Sequence, residues 1–271
     1  MRASRSRPHP HRAESHATER ALMERFTDRI VLVTGATGGI GTEICARLAS
    51  EGAVIVAADL AGSQVADLTA SLPARGHLAL ELDVSSEDGW IAAVERTLEV
   101  HGRIDALVNN AAIGSIKSVE DESPEHWQRV IDVDQTGVWL GMKHAGAAIE
   151  RTGGGAIVNV CSILGSVGGF GNSFAYHAAK GAVRTMTKNA ALHWATKGVR
   201  VNSLHPGFIE TLQLLERYEG SERHRGMLAN TPMGRLGTPA EIAGCVAFLA
   251  SDDAGFMTGA EVYADGGWTA R

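Results

Sequence analysis

Tyr176 and Lys180 stand four apart in the stretch SFAYHAAKGAV, residues 173 to 183. An α-helix brings positions i and i+4 onto one face, so a phenol and an ammonium there lie within reach of each other. A phenol loses its proton near pH 10, and a neighbouring cation lowers that value, so the pair has the parts to move a proton to or from a substrate oxygen. The same spacing suits two amphipathic side chains whose tips point at solvent. The pair alone does not choose between these readings; the rest of the chain has to.

A second group of chemistry-bearing residues lies near the start of the sequence. The run IVLVTG leads into TGATGGIG, which contains Gly35, Thr37, Gly38, Gly39, Ile40 and Gly41, and then into TEICARLAS, which has helical period. Glycine at a strand end permits a turn of positive φ. Glycines at a helix mouth let backbone N–H groups approach a pyrophosphate, where the helix dipole also favours negative charge. Strand, glycine turn and helix in that order are the context of a dinucleotide site. Asp59, followed by Leu60, ends the next apolar run. A carboxylate there can accept hydrogen bonds from ribose hydroxyls, and it would repel a 2′-phosphate by about 4 kcal/mol at an effective dielectric of about 20. No basic residue stands in the glycine loop or directly after Asp59. NAD is therefore expected in preference to NADP.

The elements that would position these groups follow from a rhythm that sets in at Phe26. Short apolar runs at 30 to 35, 53 to 59, 77 to 84, 105 to 110, 156 to 162 and 199 to 204 alternate with segments of helical period, and AEVYAD at 260 to 265 adds a last strand. Continuous rather than alternating apolar runs suit strands buried on both faces, and strand–helix alternation implies parallel crossovers. The expectation is an α/β fold, a doubly wound, Rossmann-type parallel sheet of seven strands with helices on both faces. Ser123-Pro124 reads as a helix start, and Thr238 with Glu241 as a capping box.

Composition narrows the class. With 44% hydrophobic and 21% charged residues in 271, the chain matches a soluble globular protein, and residues 26–271 are expected to form one domain. A net charge of −6 calls for neither a nucleic acid nor an anionic membrane as partner. Cys45, Cys161 and Cys245 are scattered among apolar residues without ligand spacing, so we expect no metal and a reducing, cytoplasmic setting. Residues 1–25 read as a disordered tail or an over-long start with Met23 as the first residue: Pro8 and Pro10 interrupt any amphipathic targeting helix there.

TGATGGIG, NNAA at 109 to 112, Ser162 after the fifth strand, YHAAK and HPGFIET at 205 to 211 together resemble the short-chain dehydrogenase/reductase family, in the family's order and over residues 27–271. The resemblance implies that Tyr176 and Lys180 are the catalytic YxxxK pair and Ser162 the substrate-binding serine. It also implies that Gly35, Thr37, Gly38, Gly39, Ile40 and Gly41 form the cofactor loop, with Asp59 and Leu60 at the ribose. Asp83 and Val84, ending the third strand, would meet the adenine, Asn110 and Ala111 the cofactor's underside, and Pro206, Gly207, Ile209 and Thr211 the carboxamide. Read without the family, Asp83 is a strand-end acid and Thr211 a helix cap. Lys180 at about 4 Å would stabilise a phenolate by about 4 kcal/mol, about three pKa units, which would bring Tyr176 near 7.

Two positions depart from the pattern. Ala112 stands for the last glycine of NNAG, and Asp134 stands where the family has a fourth catalytic residue, an asparagine. Asp134 could keep that residue's part in a proton relay, pair with Lys180, or be a sheet-facing acid without a catalytic part. Residues 208–237 correspond to the family's substrate lid, and their Leu212, Leu214, Leu215, Tyr218, Met227 and Leu228 suggest a hydrophobic alcohol or ketone. The lid wording, YHAAKGAVR and the DGGWTAR end resemble family members that act on cyclic secondary alcohols, steroids or dihydrodiols, which implies a cyclic secondary alcohol or its ketone. A 3-oxoacyl-carrier-protein reductase and a non-catalytic NAD-binding protein are the alternatives. By family analogy a homotetramer is expected, assembled through the helices holding residues 125–148 and 176–196.

Overall fold

The computed structural model describes residues 24–271, so the expected tail up to residue 23 lies outside the described residues. Seven strands form one sheet: β1 (Ile30–Thr34), β2 (Val54–Asp59), β3 (Leu78–Glu81), β4 (Ala106–Asn109), β5 (Gly155–Val160), β6 (Val199–Pro206) and β7 (Glu261–Ala264). All neighbours pair in parallel, in the order β3-β2-β1-β4-β5-β6-β7. The doubly wound sheet read from the apolar runs is the one observed.

Every second residue of a strand faces the same side, and both sides here are buried. Val31, Val33, Ile55 and Val158 pack with Ile44 and Leu48 of α1 (Gly39–Ser50) and with Ile242 and Val246 of α8 (Pro239–Ala250). Leu32, Val56, Leu107 and Ile157 face Trp90 of α3 (Glu87–His101) and Val183 and Trp194 of α5 (Phe174–Trp194). Leu140 and Ile149, from the long helix α4 over 124–151, join the second layer. A short α2 (Val65–Ser71) links β2 to β3, and α6 (Leu212–Tyr218) and α7 (Glu222–Asn230) form an excursion between β6 and α8.

Both expected helix starts are present. Ser123 Oγ accepts from the His126 N–H, and Thr238 and Glu241 cap each other reciprocally. Helix α4 is interrupted by two π-helical turns, Asp132–Thr136 and Met142–Gly146. Such turns wedge in an extra residue and re-aim the side chains around it.

The chain leaves β3 and returns as β4 on the far side of β1, so the sheet's switch point lies between β1 and β4. In doubly wound sheets ligands bind there, beyond the carboxyl ends of the strands. At the opposite, N-terminal side Arg25 is tied to Glu51 and Asp253, so the described chain is already anchored one residue before Phe26.

Candidate active site

The turn after β1 is built for close backbone approach. Gly35 has φ +60°, and a Cβ on it would lie 2.8 Å from Ala111 Cα; a Cβ on Gly41 would lie 2.1 Å from the Gly35 carbonyl oxygen. No side chain caps α1, so its first-turn N–H groups stay free toward an anion. Asn110 Nδ2 donates to the Thr34 and Gly35 carbonyls at 3.1 and 3.0 Å, tying the turn to β4. A Cβ on Gly39 would lie 3.2 Å from Thr211 Cγ2. Thr211 caps α6 through its hydroxyl, as the sequence reading without the family has it, and thereby sits over the glycine loop.

Asp59 organises the loop from the side. Its Oδ2 accepts the Thr37 N–H at 2.8 Å and the Thr37 hydroxyl at 2.6 Å, and its Oδ1 accepts the N–H of the exposed Leu60. The third strand stops at Glu81, so Asp83 and Val84 lie beyond it rather than ending it. Asp83 accepts the Ser85 N–H and hydroxyl in a local turn, which competes with extending the ladder. Val84 turns its side chain into the core, and its carbonyl oxygen accepts from the Trp90 indole N–H at 2.9 Å.

Helix α5 carries Tyr176 and Lys180, and its place is fixed by buried polar contacts. Asn109 Nδ2 donates to Asn159 Oδ1, and Asn159 Nδ2 to Thr187 Oγ1, joining β4, β5 and α5. Lys180 is 1% exposed and Asp134 0%. Lys180 Nζ donates to the Val160 carbonyl at 3.2 Å, lies 3.6 Å from Asp134 Oδ2 and 5.4 Å from the centre of the Tyr176 ring. Asp134, in the first π-helical turn, accepts the Ile113 N–H on Oδ1, while its Oδ2 has no hydrogen-bond partner. Of the three roles open to Asp134, the geometry shows the pairing with Lys180.

Burial pushes the Asp134 carboxyl up to about 6, against the pull of Lys180 and the Ile113 N–H. Burial opposes the charge on Lys180 too, but Asp134 and Tyr176 outweigh it and its pKa is raised. At neutral pH both partners are therefore ionised. Tyr176 is pushed above the ordinary phenol value, first by burial; Lys180 and Ser162 pull it down, while Asp134 adds to the rise. The expectation of a phenol near 7 does not hold in the chain alone. Desolvation of the phenolate and the charge that Asp134 sets against Lys180 outweigh the attraction of the ammonium.

Ser162 follows β5 in extended conformation, its Oγ accepting the Leu164 N–H at 3.1 Å. Its carbonyl oxygen can only accept, so the bond to His205 at 3.0 Å assigns the proton to Nδ1, and Nε2 accepts from the Ser203 hydroxyl. Burial lowers the His205 pKa and keeps the ring neutral, stacked 4.6 Å from Tyr263. His205 has no role in the sequence reading, although it directly precedes Pro206. Apart from Ser203 on its own strand, its partners are Ser162, just after β5, and Tyr263 of β7, and pairing across strands leaves no spacing signal.

A cleft of about 840 Å³ brings Ile40, Asn110, Ser162, Tyr176, Lys180, Pro206, Gly207, Ile209 and Thr211 together. Gly35, Gly38, Gly39 and Gly41, with Thr37, Asp59 and Leu60, do not line this cleft themselves but belong to the turn that carries Ile40 and to its side; Ala111 backs the turn, and Asp134 stands behind Lys180. Of the apolar lid residues, Leu214, Tyr218 and Met227 line the cleft, whereas Leu212 is exposed. Phe170, Phe208 and Trp268 form an aromatic cluster beside it, with ring centres 4.9–5.7 Å apart, that has no counterpart in the sequence reading. The uncapped helix mouth and a turn with no space for a Cβ fit a nicotinamide dinucleotide.

Residues 35–269 match the family model described as enoyl-(acyl carrier protein) reductase. A cyclopentanol dehydrogenase of Comamonas sp. (strain NCIMB 9872) is 40% identical over 92% of this chain and 100% of its own. A cis-4-hydroxycyclohexanecarboxylate dehydrogenase of Sinomonas cyclohexanicum is 42% identical over 91% and 99%, and an NADP-dependent (R)-specific alcohol dehydrogenase of Lentilactobacillus kefiri 38% over 92% and 100%. With the glycine turn at the switch point and the tyrosine–lysine pair in the same cleft as the serine, these matches place the chain in the short-chain dehydrogenase/reductase family.

Proposed function

We propose that the protein interconverts a cyclic secondary alcohol and its ketone with NAD(H), using Tyr176, Lys180 and Ser162. The observation that carries this reading is the position of Lys180. Its ammonium is fully buried between Asp134 and the Tyr176 ring, in the cleft that Ser162 also lines. The bound nicotinamide would supply the two-electron acceptor for the carbinol hydride. In alcohol oxidation, Tyr176 Oη takes the hydroxyl proton while the C–H bond breaks; in ketone reduction it returns that proton to the oxygen. Ser162 Oγ donates a hydrogen bond to the oxygen as negative charge develops on it, and His205 keeps the serine's backbone in place. Lys180 stabilises the phenolate electrostatically and presents its remaining N–H toward the ribose.

Preference for NAD rests on Asp59 and on Thr37, the loop position where a basic residue would receive a 2′-phosphate. Thr37 is instead bonded to Asp59. The substrate class rests on the Leu214, Tyr218 and Met227 wall and on the relatives that act on cyclopentanol and hydroxycyclohexanecarboxylate. These relatives favour a free cyclic alcohol over an acyl carrier protein despite the description of the family model. The test is turnover of cyclopentanol and cyclohexanol with NAD⁺ and with NADP⁺. Oxidation is expected with a clear NAD⁺ preference, and Asp59→Ser is expected to narrow it. Equal use of both cofactors by the wild type would refute the role of Asp59.

A further inference from the structure

Arg223, on α7, stands in the wall of the cleft that holds Ser162, Tyr176 and Lys180. Its Nη1 donates to Asn172 Oδ1 at 2.9 Å, and its guanidinium lies 5.1 Å from the Phe170 ring centre and 5.3 Å from that of Tyr218. None of these described partners is a carboxylate. Its Nε is buried and has no hydrogen-bond partner. Arg223 is half-buried, and a cation partly withdrawn from water without a counter-charge gains from a ligand that brings the anion. The other charged groups lining the cleft do not supply it. Lys180 is matched by Asp134, and Glu216 and Arg217 are both solvent-exposed on α6.

The geometry narrows the ligand. With Nη1 held by Asn172, the guanidinium donors without a partner among the described residues are Nη2 and the buried Nε, whose parallel N–H bonds match the two oxygens of a carboxylate. We propose that Arg223 recognises a carboxylate borne by the cyclic alcohol at a ring carbon other than the carbinol, so that the preferred substrates are hydroxycycloalkane carboxylates. This rests on the cyclic-alcohol reading above. Tyr176 and Ser162 take the carbinol oxygen, the apolar wall takes the ring, and Arg223 sets which end of the molecule enters which side of the cleft.

The experiment compares wild type, Arg223→Met and Arg223→Lys on cyclohexanol and on cis- and trans-4-hydroxycyclohexanecarboxylate. Wild type is expected to prefer at least one hydroxy acid. Arg223→Met should lower kcat/KM on that acid by about 10- to 100-fold, chiefly through KM, with cyclohexanol unchanged within about threefold, and Arg223→Lys should recover part of the loss. Cyclohexanecarboxylate should inhibit cyclohexanol oxidation more weakly in Arg223→Met, and cyclohexanecarboxamide equally in both. An equal loss on neutral and acidic substrates would show that Arg223 only braces the lid, and would overturn the proposal, as would a wild type that treats both alike. Cyclohexanol turnover by wild type tests the underlying reading separately. Should it be absent, calorimetric binding of cyclohexanecarboxylate that is lost in Arg223→Met still supports the anion site, and binding unchanged by the substitution overturns it.

Discussion

Burial, Lys180 and Asp134, in that order, set the electrostatics of the proposed proton transfer at Tyr176, and Asp134 works against Lys180. The Asp134 carboxyl, pushed up to about 6, is neutral well below that pH and ionised above it. Once ionised, it raises the Tyr176 pKa and matches the Lys180 charge. A base with a raised pKa is less often deprotonated, so alcohol oxidation by the wild type is expected to climb through the alkaline range, while ketone reduction already has its acid protonated at neutral pH. Asp134→Asn removes the negative charge but can still accept the Ile113 N–H. The rise in the oxidation profile should then move to lower pH, with turnover kept or increased. An unchanged profile and rate would show that Asp134 does not act on Tyr176. Tyr176, Lys180, Ser162 and Asp59 were legible as a set because each is carried by a motif with its own local context. The pairing of Asp134 with Lys180 was legible only as one of three possibilities, and His205 and Arg223 not at all, because each depends on burial and on partners brought together by the fold.

Among the elements, the first strand, its turn and α1 have a geometry that leaves little freedom. Gly41→Ala would put a Cβ 2.1 Å from the Gly35 oxygen, a contact with backbone that no rotamer relieves. The turn or the helix must shift, so we expect a loss of stability of about 1–3 kcal/mol and cofactor binding weakened at least tenfold. Thermal unfolding with and without NADH reads both. A variant with wild-type melting temperature and cofactor affinity would contradict the cradle as described. The strands were readable from their apolar runs because both sheet faces are covered, and the helix starts from their caps. The two π-helical turns of α4 were not, since no residue type marks an inserted residue in a helix. The early end of β3 came from Asp83 bonding locally to Ser85.

At the scale of the whole molecule, the outer faces of α4 and α5 leave large apolar groups in solvent, including Trp139 at 47% and Leu192 at 79% exposure. We propose that these faces pack against further copies and that the protein is a homotetramer. Light scattering coupled to gel filtration should give four times the chain mass, and Trp139→Glu should shift it toward smaller species; a monomeric wild type would refute this. The seven-stranded parallel sheet followed from strand–helix alternation, whereas its strand order, its switch point between β1 and β4 and the faces left for neighbours depend on how the elements assemble in three dimensions. The central claim is that Tyr176, tuned by Lys180 and Asp134, moves the proton in an NAD-dependent alcohol–ketone interconversion. Its most direct test is the steady-state rate of cyclohexanol oxidation by wild type and by Tyr176→Phe, with NADH affinity measured on both. Measurable turnover in wild type, a fall of about 10²- to 10⁴-fold in Tyr176→Phe and an unchanged NADH affinity are predicted. Turnover retained without the phenol hydroxyl would contradict the account.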